Sequence, residues 1–179
     1  TFLLVKEKVD RLEKRIIDAD NAVFSLVDPE APTSVETRWP PLAERMSPSV
    51  RAVLVIDDGG TVLAYAARAT DTEKRDFLKV FEERILPDLE LDHLQVGRLT
   101  HLQRTYAGQS YLLSYVARTE NGRRYYAVAH HDTGYILRNE VPELLAAEEG
   151  KSLYNIVDDD SHVIYGESLA RAGDYQVAW

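Results

Sequence analysis

Apolar residues at the start of the chain recur at alternating steps of three and four. This spacing places them along one stripe of a helix, with charged residues over much of the opposite face. The pattern predicts one long helix over residues 2–27. Its apolar positions are Phe2, Val5, Val9, Leu12, Ile16, Ala19, Val23 and Leu26.

The narrow stripe of this helix has two interpretations. It packs on the chain's own sheet, or part of it packs against the same helix of a second copy, and both can hold at different heights along the helix. For the second interpretation we expect a weak homodimer. Its contact residues would be Val5, Val9, Leu12 and Ile16.

The pattern then changes to short apolar runs of the kind that form β-strands, separated by turn residues. Prolines punctuate residues 28–50, which predicts a loop with one short helix near 35–46. Two apolar runs, 51–57 and 61–68, flank the Asp58-Gly59-Gly60 turn and predict a β-hairpin.

A second helix and a three-stranded meander are predicted next. The apolar face of residues 71–86 indicates an amphipathic helix, with Asp71 as candidate N-cap and Pro87 as its end. Three strands follow, and their short connections require an antiparallel arrangement. They span residues 98–106, 109–118 and 123–131.

The last predicted elements are a helix and a hairpin. Residues 134–148 form the helix, in which Pro142 indicates a kink or a later start. Residues 153–157 and 162–165 form the hairpin. We therefore predict an α+β fold with a long N-terminal signalling or dimerisation helix (residues 1–27) and one domain over residues 28–179.

Three segments carry a resemblance to a known family. They are the strand, Asp-x-Gly turn and strand at 53–63, the strand that ends in Asp132 and runs into a helix at 126–136, and the hairpin at 156–164. In this order they resemble the PAS-like Cache (PDC) sensor domains, which lie outside the membrane in bacterial histidine kinases and chemoreceptors. The resemblance implies a central antiparallel sheet flanked by helices.

The same resemblance implies a function. We expect a periplasmic ligand-sensing domain of an inner-membrane receptor, first of all a two-component histidine kinase, with a membrane span immediately before Thr1 and the catalytic domains elsewhere. The domain itself is then not an enzyme. The alternatives are the sensor domain of a chemoreceptor or diguanylate cyclase, a ligand-free dimerisation or protein-interaction module, and a cytoplasmic PAS-like domain.

One departure from the family limits what carries over. Amino-acid-binding members have an Arg-x-Trp-Tyr motif after the middle helix, and residues 89–97 contain no such motif. Of the residues that contact a ligand amine in those members, only Asp132 has a counterpart here. The resemblance therefore does not imply an amino acid as ligand.

Composition and charge exclude several classes of function. The net charge of −9 and pI of about 5.0 argue against binding to nucleic acid or anionic membranes. The absence of cysteine removes disulfides, thiolate metal sites and cysteine nucleophiles. No apolar stretch approaches the roughly 20 residues of a membrane span.

Metal and catalytic motifs are not evident. His130 and His131 are neighbours on a strand and point to opposite faces, so they cannot easily share an ion, although His101 could complete a site with one of them. Residues 158–160 are three aspartates without the spacing of a calcium loop. We expect no metal, no cofactor and no catalytic residue.

The meander is rich in tyrosine and arginine, which suits a pocket for a small polar or anionic ligand. Arg104 or Arg124 would bind its carboxylate or phosphate. The alternative is that these are half-exposed sheet positions. The candidate ligand-binding residues are Arg104, Tyr106, Tyr115, Arg124, Tyr126 and His130, with Asp132 added by the resemblance.

Overall fold

The computed structural model describes residues 2–145, 156–157 and 163–166, with side chains for residues 6–145 and 166. The chain forms two compact units, Ile16–Thr133 on its own and Thr1–Arg15 together with Gly134–Trp179. The predicted α+β class is confirmed, with a long N-terminal helix and helices around an antiparallel sheet. The division into residues 1–27 and 28–179 stays a prediction.

The sheet has five strands in the order β2–β1–β5–β4–β3, and every neighbouring pair is antiparallel. The hairpin and the meander are therefore both confirmed. Positive φ at Ala107 and Gly108, and again at Asn121 and Gly122, makes the two tight turns of the meander. The strands are β1 (Val50–Asp57), β2 (Val62–Ala67), β3 (Leu99–Tyr106), β4 (Gln109–Glu120) and β5 (Arg123–His131).

Helix α1 (Phe2–Phe24) covers one face of the sheet with its C-terminal half and ends three residues before the predicted boundary. Ala19 and Val23 are buried there against Val53 and Ala127. Ile16 is also buried, with 1% of its surface exposed. This part of the apolar stripe therefore packs within the chain.

Helix α4 (Asp71–Val80) lies on the opposite face of the sheet. It continues through a π-helical turn (Phe81–Ile85) into α5 (Leu86–Asp88). Phe81 and Ile85 are fully buried with Leu54 and Val128 of the sheet. The two faces of the sheet thus have separate apolar cores.

Two details of this helix differ from the prediction. The N-cap is Thr70 and not Asp71, because Thr70 and Glu73 form a reciprocal capping box. Pro87 lies inside the last helical turn instead of ending the helix. The π turn just before it widens the helix, which relieves the clash of the proline ring with the carbonyl of Glu83.

The segment predicted as one helix near 35–46 is broken into short turns. Helix α2 (Val35–Arg38) ends before a 3₁₀ turn (Pro40–Leu42), and α3 (Ala43–Met46) follows. The two prolines of that turn lack the N–H groups that a continuous helix needs. Glu36 of α2 accepts a hydrogen bond from the backbone N–H of Tyr65 at 3.0 Å, which satisfies one donor of the edge strand β2.

The other compact unit contains the helix predicted at 134–148. The helix begins with α6 (Thr133–Tyr135), has a π turn (Ile136–Glu140) before Pro142, and continues as α7 (Val141–Leu145). Residues 146–148 lie outside the described residues. Within this unit Arg15 pairs with Glu143 at 2.8 Å, and Lys8 donates to the carbonyl of Leu144 at 2.7 Å.

The final hairpin is described only by its paired strands. Strand β6 (Ile156–Val157) is antiparallel to β7 (Val163–Tyr165). The rest of this predicted hairpin, with the aspartates at 158–160, lies outside the described residues. Among the helices of the described ranges, none is both long and apolar enough to cross a membrane.

Candidate ligand-binding site

A cavity of about 320 Å³ opens between α4 and the sheet, at the end of the sheet where β1, β2 and β5 meet the β3–β4 turn. Its deepest residues are buried, and its rim is polar and exposed. The lining residues that matter for recognition are Arg51, Tyr65, Glu73, Asp76, Phe77, Tyr106, Gln109, Tyr111 and His130.

Small side chains create the space. Ala52 of β1 is paired with Ala67 of β2 on one side and with His130 of β5 on the other, and all three line the cavity. Ala69 and Ala107 line it as well. Because adjacent strands here carry alanine where Leu or Ile would fill the gap, space remains between α4 and the sheet beside the Phe77–His130 contact.

Aromatic rings form a continuous wall around Phe77 of α4. The Phe77 ring stacks on His130 with centroids 4.6 Å apart and planes within 1° of parallel. Tyr65 lies 5.8 Å away on one side, and Tyr111 lies 6.1 Å away on another. Tyr106 extends the wall from Tyr111 at 6.0 Å.

The titratable groups of this wall are uncharged near neutral pH. Burial, helped by the nearby Arg51 charge, lowers the pKa of His130 to about 3. Burial also raises the pKa of Tyr65 and of Tyr106 to about 12. The wall therefore presents neutral rings, and the formal charges lie on the rim, where Arg51 pairs with Glu73 at 3.0 Å.

The structure brings two of the predicted ligand-binding residues into this cavity, Tyr106 and His130. Tyr115 and Tyr126 are buried in the apolar core on the same face of the sheet. Asp132 follows β5, and its backbone N–H donates to the carbonyl of Ser49 at 2.7 Å.

The two predicted anion-binding arginines have partners within the protein. Arg104 pairs with Asp88 at 2.6 Å, and the same carboxylate oxygen accepts a hydrogen bond from the Tyr106 hydroxyl at 2.7 Å. Arg124 donates to the carbonyl of Leu94 at 2.5 Å, and its guanidinium lies 5.4 Å from the ring centroid of Tyr126. Neither lines the cavity.

Arg51, Tyr65 and Phe77 line the cavity but are absent from the sequence-based set. The sequence pattern did contain a signal for Tyr65 and for Phe77. Tyr65 alternates with the alanines of β2, and Phe77 lies on the apolar face of α4 one turn after Glu73. Such positions face the sheet's interior side, but only the observed register shows that they surround a void.

A second polar cluster lies on the opposite face of the sheet. Asp20 of α1 is fully buried, and its Oδ1 lies 2.9 Å from Nε2 of His131, which is also fully buried. The Ser114 hydroxyl lies 2.9 Å from the same nitrogen, and Nε2 of His101 lies 3.5 Å from Asp20 Oδ2. Burial alone would raise the pKa of Asp20, but the nearby imidazoles of His101 and His131 outweigh it and lower that pKa.

The geometry of this cluster indicates a structural tether. His101 and His131 approach different oxygens of Asp20, and within the described ranges no group of three such side chains could hold a metal ion. Ser114 and Asp20 both contact Nε2 of His131, while Nδ1 is buried and has no hydrogen bond to any residue that the structure describes. A nucleophilic serine relay needs the two partners on different ring nitrogens.

No family model matches the sequence, and no curated protein matches it. The structure is similar to the periplasmic domain of Vibrio cholerae LuxQ, with a TM-score of 0.50 and 13% sequence identity, over 98% of this chain and 79% of that one. The chain has an α+β, PAS-like fold. The resemblance seen in the sequence is thus confirmed for the fold.

A second similar structure is the sensory domain of the Campylobacter jejuni chemoreceptor Tlp3 with isoleucine bound. The TM-score is 0.43 and the identity 12%, and the match covers 91% of this chain. The chain spans 64% of the length of that domain.

Proposed function

We propose that this PAS-like domain is the extracytoplasmic ligand-sensing part of a transmembrane receptor, and that the receptor is a two-component histidine kinase. In this proposal the domain has no catalytic activity of its own, and the kinase chemistry lies elsewhere in the parent protein. Reading the parent gene tests the topology, because a gene without any membrane span contradicts the periplasmic location.

The cavity under α4 is the observation that carries the proposal. A ligand-free dimerisation module would be expected to fill this face with apolar side chains. Instead, alanines at Ala52 and Ala67 leave space beside the stacked rings of Phe77 and His130. A concave site lined by aromatic and small apolar side chains, with a few polar groups at its rim, is typical of small-molecule binding.

A thermal-shift screen of the chain against a library of small polar metabolites tests the proposal. A ligand that binds only the folded state raises the melting temperature, by an amount that corresponds to about 2.7 kcal/mol at 100-fold excess over Kd. Ala67→Phe should fill the cavity and abolish the shift. Leu63→Phe is the matched control, because Leu63 is exposed on the same strand and does not line the cavity.

Two results would reject this site. If every hit survives Ala67→Phe, ligands bind elsewhere, and if no compound of a broad library binds, the ligand-free module is favoured. Hydrolysis of a library substrate that one point mutation abolishes would contradict the receptor proposal itself.

The proposed signalling element is α1. Ligand binding would shift the population between two packing arrangements of the sheet and its covering helices, and α1 would transmit the difference toward the membrane. Ile16 is buried within the chain, so it is not free for a partner, whereas Val9 and Leu12 are half-buried. The side chain of Val5 lies outside the described residues.

We therefore propose a weak homodimer centred on Val9 and Leu12. Leu12→Asp should remove the concentration-dependent dimer seen by sedimentation while the circular dichroism spectrum is retained. Glu13→Lys, at the exposed neighbouring position, should leave the dimer in place. Unfolding by Leu12→Asp would show that this position belongs to the chain's own core and would reject the contact.

A further inference from the structure

We propose that the cavity under α4 selects a small organic cation, of the alkylated ammonium class, over anions. The inference rests on the proposed function, since it names the class of ligand for the same cavity. It also reverses the sign of charge that the arginines of the meander indicate in the sequence.

The charges that line the cavity are the first argument. Three lining residues carry formal charge near neutral pH, namely Arg51, Glu73 and Asp76. Arg51 and Glu73 compensate each other across 3.0 Å. One negative charge, that of Asp76, is left over.

Asp76 has no hydrogen bond or ion pair within the part of the chain that the structure describes. It shares one face of α4 with Glu73, Phe77 and Val80, at the spacing of successive helical turns, and all four line the cavity. The helix thus presents an unpaired carboxylate directly beside its aromatic side chain.

The rings supply the second argument. The Phe77 ring lies 5.8 Å from that of Tyr65 and 6.1 Å from that of Tyr111, and His130 stacks on Phe77 as an uncharged ring. The faces of neutral aromatic rings attract cations through their quadrupole, most strongly when the cation is weakly hydrated. An alkylated ammonium group also gains by burying its methyl groups against the same rings.

An anion finds no free partner in this cavity. Among the described residues that line the cavity, the only cation is Arg51. An anion bound to its guanidinium would displace Glu73 and then face both Glu73 and Asp76. Arg104 is held by Asp88, and Arg124 by backbone carbonyls. Like charges placed this close repel each other.

Three probes of one shape test the sign of charge. They are choline, its neutral isostere 3,3-dimethylbutan-1-ol and the anion 3,3-dimethylbutanoate. Each is titrated into the protein while the backbone amide chemical shifts are followed by NMR. We expect choline to bind about three- to thirty-fold more tightly than the alcohol and the anion to bind most weakly. The amide chemical shifts of Ala52 and Ala67 should change most when choline binds. Equal affinity for choline and the alcohol, or tightest binding of the anion, would overturn the inference.

A pair of variants assigns the effect to Asp76. Asp76→Asn should weaken choline binding about two- to five-fold and leave the alcohol unaffected, and added salt should shrink the difference. Glu83→Gln makes the same change of net charge at an exposed position of the π turn that continues α4. This position does not line the cavity, so the variant should have no effect. Equal effects of the two variants would reduce the preference to overall charge and reject Asp76 as its source.

The result also separates this inference from the proposed function. If choline fails to bind while the metabolite screen yields an anionic or neutral ligand that Ala67→Phe abolishes, the cation inference is wrong and the sensing role stands. If neither the probes nor the screen gives binding at the cavity, the sensing role fails together with the inference.

Discussion

His130 and His131 are neighbours on β5, yet they belong to opposite faces of the sheet with opposite physical characters. His130 faces α4, stacks on Phe77 and stays uncharged beside a cavity. His131 faces α1 and lies against the buried carboxylate of Asp20 at 2.9 Å. One face has a cavity lined by neutral rings, while the other buries a cluster of polar side chains beside its apolar core.

The contrast shows how one sheet can serve both binding and stability. A ligand site needs room and groups that are not already paired, which makes the α4 face the less stabilised one. The α1 face instead buries a charge, which is tolerated only because hydrogen bonds compensate it. We infer that substitutions on the α1 face affect mainly folding, and those on the α4 face mainly ligand binding.

The largest expected effect is on the α1 face. His131→Leu leaves the carboxylate of Asp20 buried without its main donor, so we expect a loss of about 3–5 kcal/mol in the free energy of unfolding. Urea denaturation followed by circular dichroism measures it. Adding Asp20→Ala to His131→Leu removes the stranded charge and should recover part of the loss.

His130→Leu is the matched comparison for this variant. It makes the same substitution one residue earlier, but it strands no charge and removes only the ring stacking with Phe77, which is worth about 1 kcal/mol. Equal losses for the two leucine variants would show that the two faces do not differ in the way described above.

The second prediction concerns pH and the α4 face. The pKa of His130 is lowered to about 3 in the folded protein, whereas an unfolded histidine titrates near pH 6.5. Below about pH 6.5 the unfolded state therefore binds a proton that the folded state does not, and stability falls as the pH falls. By pH 4.5 the loss is on the order of 2–3 kcal/mol.

His130→Phe keeps a ring against Phe77 and removes the titration. Its unfolding free energy, measured between pH 7 and about 4.5, should fall by less than that of the unmodified protein. Parallel pH profiles for the two proteins would mean that His130 takes up its proton in the folded state, which the buried, stacked ring argues against.

Local sequence signals were sufficient for most of the sheet. The Asp58-Gly59-Gly60 turn, Ala107-Gly108 and Asn121-Gly122 each specify a tight connection within a few residues, so the hairpin and the meander could be predicted without any tertiary information. The alternation of side chains along a strand likewise placed His130 and His131 on opposite faces.

The partners of several polar side chains, and with them the choice of site residues, depend on contacts that sequence spacing does not contain. Asp20 and His131 are 111 residues apart, and Asp20 stands out in the sequence only as a carboxylate between the apolar positions Ala19 and Val23. In the same way, nothing in the sequence shows that Arg124 has a partner. In the structure, the loop at 89–98 places the carbonyl of Leu94 within hydrogen-bonding distance of its guanidinium. Partners of this kind are fixed by the fold.

A smaller effect is expected at the edge of the α1-face core. The indole N–H of Trp39 donates to the Ser47 hydroxyl at 3.0 Å, and both residues are fully buried. Ser47→Ala leaves that donor unpaired, which costs about 1–3 kcal/mol in the free energy of unfolding. Ser25→Ala, at an exposed serine, is the control and should change stability much less.

The smallest expected effect tests whether α4 moves independently of the α1 face. Thr70→Ala removes the side-chain half of the capping box at the start of α4, a loss of about 1 kcal/mol in helix stability. Because the cavity already limits how tightly α4 packs, we expect this loss to appear as local opening of α4.

Amide hydrogen exchange in Thr70→Ala should therefore become faster over Asp71–Val80 and remain unchanged in the C-terminal half of α1. Ligand binding at the cavity should weaken. Thr70→Ser keeps the capping oxygen and should behave like the unmodified protein. Faster exchange on both faces after Thr70→Ala would show that the two faces unfold as one cooperative unit. The inference that the α4 face serves mainly binding and the α1 face mainly stability would then be wrong.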